Sequence, residues 1–212
     1  DCFSPYICRE AAGISEQFQA ESGYWTPFSA LPVVLVYNTK LVAPESLTSW
    51  KDLESPAFRG KIAFADPQIS GSSYTALVTR LQTGCGMEDS LTRLCTALDG
   101  KQLDSSGAVL TAVADGSALV GITLEETALQ HIAAGEDIAL VYPSDGTSCV
   151  PDGSALVKGA PHGDNARLFL DFTVSTDVQS MVGQRFCRRT VRADIPADPS
   201  LPPLSTLNMV SY

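Results

Sequence analysis

The chain changes its hydrophobic period several times, and each change marks an element. Phe28 to Tyr37 is an apolar, β-branched run closed by Asn38-Thr39, which predicts a buried strand. Lys61-Ile62-Ala63-Phe64-Ala65 predicts a second short strand, ended by Asp66-Pro67. A loop over Gln68 to Ser73 then opens a helix whose apolar positions Tyr74, Leu77, Val78 and Leu81 recur at helical spacing, before Gly84 and Gly86 end it. Leu91, Leu94, Cys95 and Leu98 form the stripe of another helix, and Val109, Leu110 and Val113 that of a third, stopped by Gly116. Ala118 to Thr123 reads as a strand, Glu125 to Ala134 as a helix with Gly135 as its stop, and Ile138 to Tyr142 as a strand leading to Pro143. This alternation predicts an α/β layered domain with a largely parallel sheet, in which ligands collect at the carboxyl ends of the strands.

The flanks read differently. Asp1 to Thr26 mixes turn formers and aromatics without clear period. After Tyr142 come a turn at Ser144-Asp145-Gly146-Thr147, a short strand over Ser154 to Val157, and a helix over Asn165 to Thr173 with Phe169 and Phe172 among its apolar residues. A short helix near Val178 to Phe186 follows, and a Pro- and Ser-rich tail from Asp194 predicts an irregular surface segment. Lobe boundaries are expected near Thr26 to Leu31 and at Tyr142 to Asp145.

Composition narrows the function classes. With 212 residues, 44% of them hydrophobic, the chain can bury a substantial core. No apolar run approaches the roughly 20 residues that cross a bilayer. A net charge of −10 with scattered Lys and Arg argues against nucleic acid or an anionic membrane as partner, and Arg185, Arg188, Arg189 and Arg192 read as a solvated surface. Six cysteines, no CxxC pair and two histidines argue against a zinc site. The even count suits either disulfides in an oxidising compartment or scattered buried thiols, with Cys85 and Cys95 the favoured pair because they flank a short loop between two predicted helices. The first residue is Asp1 and no signal segment is present, so the chain is read as a processed or excised piece.

Three polar turns are the candidates for chemistry. Asp66-Pro67-Gln68-Ile69-Ser70-Gly71-Ser72-Ser73 opens a helix with small residues, exposing backbone N–H groups and hydroxyls to an anion, although one serine capping the helix would explain the same pattern. Asp104-Ser105-Ser106-Gly107 precedes another helix, and Gly121-Ile122-Thr123-Leu124-Glu125-Glu126 ends a strand. Strand-to-helix turns of a parallel sheet share one edge, which groups the three. Glu125 and Glu126 equally suit a helix first turn, where carboxylates meet the positive dipole end. No GxSxG elbow, GxxxxGK[ST] loop or HExxH motif occurs, and a Cys149–His162 pair has no supporting signature, so an enzyme is not expected.

The order of Gly23-Tyr24-Trp25-Thr26-Pro27, Val34-Leu35-Val36-Tyr37-Asn38-Thr39-Lys40, Ser49-Trp50-Lys51-Asp52-Leu53, Gly60-Lys61-Ile62-Ala63, Ala65-Asp66-Pro67 with Ser70-Gly71-Ser72-Ser73-Tyr74, Val120-Gly121-Ile122-Thr123, Val141-Tyr142-Pro143, and Asp152-Gly153 with Lys158-Gly159-Ala160 resembles the type 2 periplasmic solute-binding proteins of ABC importers, in their ferric-iron, phosphonate and sugar-phosphate branch. The resemblance implies a three-layer α/β lobe plus part of a second lobe. Residues 1–28 would be a remnant of lobe 1 and the hinge entry, 29–142 lobe 2, and 143–212 the return into lobe 1. It implies ligand-binding by Ser70, Gly71, Ser72, Ser73, Ser105, Ser106, Thr123 and Glu125 at an interlobe cleft, with Ser29 and Tyr142 at the hinge. Thr123 and Leu124 stand where iron-binding members carry adjacent tyrosines, which favours a small anionic solute such as a phosphonate or phosphate ester, with no cofactor and no metal. The implied partners are that solute and the permease of a cognate ABC importer, in an extracytoplasmic setting, with the membrane reached only through an anchor not present in this chain. The competing readings are a ligand-sensing extracellular domain of a membrane signalling protein and a ferric-iron receptor.

Overall fold

The structure is a computed structural model that describes residues 2–20, 22–83 and 87–211. The chain forms β1 (Phe3–Ser4), β2 (Thr26–Asn38), β3 (Ile62–Ala63), α1 (Gly71–Gln82), α2 (Met87–Leu98), α3 (Ser106–Ala114), β4 (Val120–Leu124), α4 (Glu125–Ala133), β5 (Ile138–Val141), β6 (Cys149–Ser154), β7 (Leu156–Val157), α5 (Gly163–Thr173), α6 (Thr176–Phe186) and β8 (Arg189–Thr190). It divides into two compact units: Asp1–Leu31 with Pro151–Leu201, and Pro32–Val150 with Pro202–Tyr212.

The second unit is a three-layer α/β body. Its strands lie in the order β3-β4-β2-β5. β2 alternates between two cores: Val33, Leu35 and Tyr37 join Trp50, Phe64, Leu94 and Leu98 on one face, and Val34 and Val36 join Val109, Leu110, Val113 and Ala128 on the other. Burial on both faces is why the strand reads as an unbroken apolar run rather than an alternating one. Asn38 ends it, its side-chain amide donating to Val113 O at 2.8 Å and so capping a carbonyl at the end of α3.

The sheet is mixed, not largely parallel as expected. β3 runs parallel to β4, while β2 is antiparallel to both β4 and β5. The three short strands therefore share one direction, and the long strand between them runs against it. Helical connections suit the short strands, whereas β2 enters from the other unit.

The apolar stripe of α1 is partly buried: Leu77 packs against the core, while Tyr74 is exposed. Ser73, Ala76, Thr79 and Arg80 are the buried positions of the helix, and Arg80 pairs with Glu54 at 2.5 Å. On α2, Leu94 and Leu98 are buried but Cys95 is an exposed free thiol, and Cys85 lies outside the described residues.

The first unit is built around β2, β8 and two helices. β1 pairs with β7, and Ser29 and Ala30 pair with Thr190 and Arg189. Gln179 of α6 is fully buried and fully used: it donates to Phe28 O and Thr173 O and accepts from Thr190 Oγ1 and Val191 N. Phe169 and Phe172 of α5 stay exposed, and Leu170 carries the contact with the core.

The divisions also differ from those expected. The second crossing falls at Val150–Pro151 rather than at Tyr142, since Thr147 and Ser148 bond to Val33 and hold this stretch in the second unit. Residues 202–211 belong to the second unit as well, where Val210 N donates to Thr147 O and Thr147 N to Asn208 O, both at 2.8 Å.

Candidate solute-binding edge

All three candidate turns follow strands of one direction in the second unit. Ile62 and Ala63 pair with Val120 and Gly121 in parallel, and Ala65 forms a parallel bridge with Leu103. The chain after residue 65, the chain after residue 103 and the chain after β4 therefore leave the sheet at the same edge. Asp66 N donates to Leu103 O at 2.9 Å, which fixes the first two turns side by side.

The turn at 66–73 is braced by its own hydrogen bonds. Asp66 Oδ1 accepts from Gln68 N at 2.8 Å, and Asp66 O accepts from Ile69 N and Ser70 N. Ser70 is extended (φ −114°, ψ 111°) and caps α1, its Oγ accepting from Ser73 N at 3.3 Å and lying 3.1 Å from Ser72 Oγ. The capping reading is thus correct for Ser70, and it leaves the N–H groups of Gly71 and Ser72 pointing out of the first turn with no acceptor among the described residues. A Cβ at Gly71 would meet nothing within 4 Å, so the backbone there borders open space.

The turn at 104–107 repeats the design. Ser105, extended at φ −154° and ψ 156°, caps α3 by accepting from Ala108 N, and Gly107 also borders open space. Neither α1 nor α3 has an acidic residue in its first turn, so the positive end of each helix dipole is left unneutralised by its own helix, although Asp104 is exposed beside it. α4 is the opposite case, with Glu125 and Glu126 in its first turn.

Glu125 is fully buried, and the Tyr142 hydroxyl donates to its Oε1. Tyr142 therefore lies inside the second unit, away from any crossing, and its role as the partner of Glu125 has no signature in the sequence beyond its place after β5. Thr123 pairs with Val34 in the sheet and is 5% exposed, which makes it part of the wall rather than of an open surface. Ser73 is likewise buried, while Ser72 and Ser106 are half-buried. Ser29, on the first unit, donates its N–H and its hydroxyl to Asp152 Oδ1, both at 2.8 Å.

A separate cavity of about 280 Å³ belongs to the first unit and includes none of these residues. Among its lining side chains, Gln19 donates to Ile14 O, and the Cys8 thiol lies 3.4 Å from Thr26 Oγ1, with burial raising the thiol pKa. Among the described residues, no group of three His, Cys, Asp or Glu side chains is placed to hold a metal ion, and no helix is long and apolar enough to cross a membrane.

The two-unit α/β fold is that of the periplasmic solute-binding proteins. The chain belongs to the family described as bacterial extracellular solute-binding protein, whose sequence pattern matches residues 1–212. Its setting is accordingly extracytoplasmic.

An uncharacterized protein of Haemophilus influenzae is 36% identical over 146 residues, covering 67% of this chain and 41% of that protein. Iron uptake protein A1 of Synechocystis is 26% identical over 203 residues, covering 89% of this chain and 56% of its own length. The chain thus spans about half the length of these curated relatives.

Among solved structures, a two-component system protein that mediates signal transduction superposes with a TM-score of 0.88 at 25% identity, covering 99% of this chain and 71% of that one. The periplasmic binding protein AfuA from Actinobacillus pleuropneumoniae, with exogenous fructose-6-phosphate bound, superposes at 0.89 and 24% identity, covering 100% and 70%.

Proposed function

We propose that this chain captures a small anionic solute for an ABC importer, holding it by neutral donors and catalysing no reaction. The observation that carries the reading is the pair of serine-capped helix starts at Gly71–Ser72 and Ser106–Gly107, set side by side on one sheet edge with no carboxylate in either first turn. Two such turns supply backbone N–H groups and dipole charge to one oxyanion without any Lys or Arg, which suits a chain of net charge −10. A phosphate ester or phosphonate fits that donor set, and the fold neighbour with fructose-6-phosphate bound supports the same class. Ferric iron is the weaker reading, since Thr123 and Leu124 offer no phenolate at the end of β4. No cofactor enters the proposal, and the partner is the importer's permease.

The test is calorimetry of the chain against inorganic phosphate, fructose 6-phosphate, a phosphonate and ferric citrate. Binding of the phosphorus oxyanions is expected; binding of ferric citrate alone would overturn the reading. A sensory role is the second reading, favoured by the two-component neighbour. Co-purification of the intact protein with a permease or with a histidine kinase separates the two.

A further inference from the structure

Tyr142 stands directly after β5, which runs in the direction of β4 and β3, since β2 is antiparallel to both β4 and β5 and β3 is parallel to β4. It therefore leaves the sheet of the second unit at the same edge as the three polar turns. Its ring packs, with Leu140, against the cluster to which α3 contributes Val109 and Leu110 and α4 contributes Ala128. The phenol and the start of α3 thus lie on one face of that sheet. The Tyr142 hydroxyl donates to Oε1 of Glu125, the first residue of α4, and Glu125 has no exposed surface.

An ionised carboxylate only accepts hydrogen bonds, so Glu125 fixes where the phenol proton goes, and what the half-buried Tyr142 offers a solute is the acceptor side of its oxygen. A carboxylate at the proton also polarises the O–H and strengthens that oxygen as an acceptor. The same negative charge opposes a second anion beside the phenol. The edge therefore has two chemistries. The first turns of α1 and α3 present N–H groups with no carboxylate of their own helix, whereas Tyr142 presents an acceptor backed by one. A bare oxyanion satisfies only the first. A solute with an O–H or N–H away from its oxyanion satisfies both, and a site built to hydrogen-bond such a group rejects the analogue that lacks it.

Resting on the oxyanion reading above, we propose that Tyr142 meets the solute as a hydrogen-bond acceptor, that Glu125 is the positioning residue that orients it, and that the pair selects phosphate esters or phosphonates bearing a hydroxyl or amine over bare oxyanions. Calorimetry of the chain and its variants tests this. Tyr142→Phe should weaken fructose 6-phosphate about tenfold and leave inorganic phosphate within about twofold. Glu125→Gln keeps a carbonyl oxygen that can accept from the phenol, so alone it should weaken fructose 6-phosphate less than Tyr142→Phe does. Added to Tyr142→Phe it should weaken it no further, because Glu125 acts only through the phenol. Should the variants not fold, matched solutes on the native chain carry the same question. Propylphosphonate should bind about tenfold more weakly than the tighter of its 2-hydroxyethyl and 2-aminoethyl counterparts, which differ from it in one terminal atom. Propylphosphonate binding as tightly as both, or Tyr142→Phe weakening phosphate and fructose 6-phosphate alike or neither, would overturn the proposal while leaving the oxyanion reading in place. Failure of every phosphorus oxyanion to bind the native chain would overturn both.

Discussion

Arg192 keeps 6% of its side chain exposed while donating to Glu10 Oε2, to both carboxylate oxygens of Asp194 and to Val174 O. A Cβ on Gly13 would come within 2.4 Å of its Nη2, so that glycine is the space the guanidinium needs. Both carboxylates are about half exposed and regain water if the pair is broken, so most of the cost of Arg192→Ala falls on Val174 O and on lost packing. We expect a loss of about 2 kcal/mol in urea unfolding, with Arg192→Lys recovering little because one ammonium cannot serve the same fork.

The same pair gives a pH dependence. Hydrogen bonds from Arg192 hold the Asp194 carboxyl below its ordinary value. For Asp52, burial pushes the carboxyl up, but hydrogen bonds from Thr48 and Ser49 outweigh it and the net shift is down. A carboxyl with a depressed pKa contributes stability above its unfolded value of about 3.9, and that contribution is lost as pH falls through the folded value. The urea midpoint should therefore fall below about pH 4, and Arg192→Ala should flatten that fall. An unchanged acid slope in the variant would remove Asp194 from the account.

At the scale of elements, the helix starts separate capping from binding. Ser70→Ala and Ser105→Ala should each cost about 1 kcal/mol of stability through loss of the cap. Gly71→Pro isolates the other function. Proline is favoured at a first helical position, Ser70 already holds an extended conformation that a following proline accepts, and open space lies beside Gly71. The substitution removes one N–H donor without breaking α1, so oxyanion affinity should drop about tenfold while stability holds or rises. Gly121→Ala should cost about 1 to 3 kcal/mol, because its Cβ would lie 2.9–3.0 Å from Val109, Val113 and Val36.

These elements also mark what the sequence makes legible. β2, α3 and α4 could be placed because long apolar runs, a Val109–Leu110–Val113 stripe and a Gly135 stop are local signals. The reversed direction of β2 could not, since strand direction is set by where the chain re-enters the sheet. Nor could the burial of Arg80 on α1, whose partner Glu54 lies 26 positions away. The serine turns were visible as helix starts, whereas the bond between Tyr142 and Glu125 is a tertiary contact that no spacing announces.

For the molecule as a whole, the account rests on an oxyanion at the shared edge of α1 and α3. Its most direct test is a ¹H–¹⁵N titration of the chain with inorganic phosphate and with fructose 6-phosphate, following each amide. Saturable shifts concentrated at Gly71, Ser72, Ser106 and Gly107, and reduced in Gly71→Pro, are the predicted result. Binding that leaves those four amides unmoved, or that shifts only the residues lining the cavity of the first unit, would contradict it.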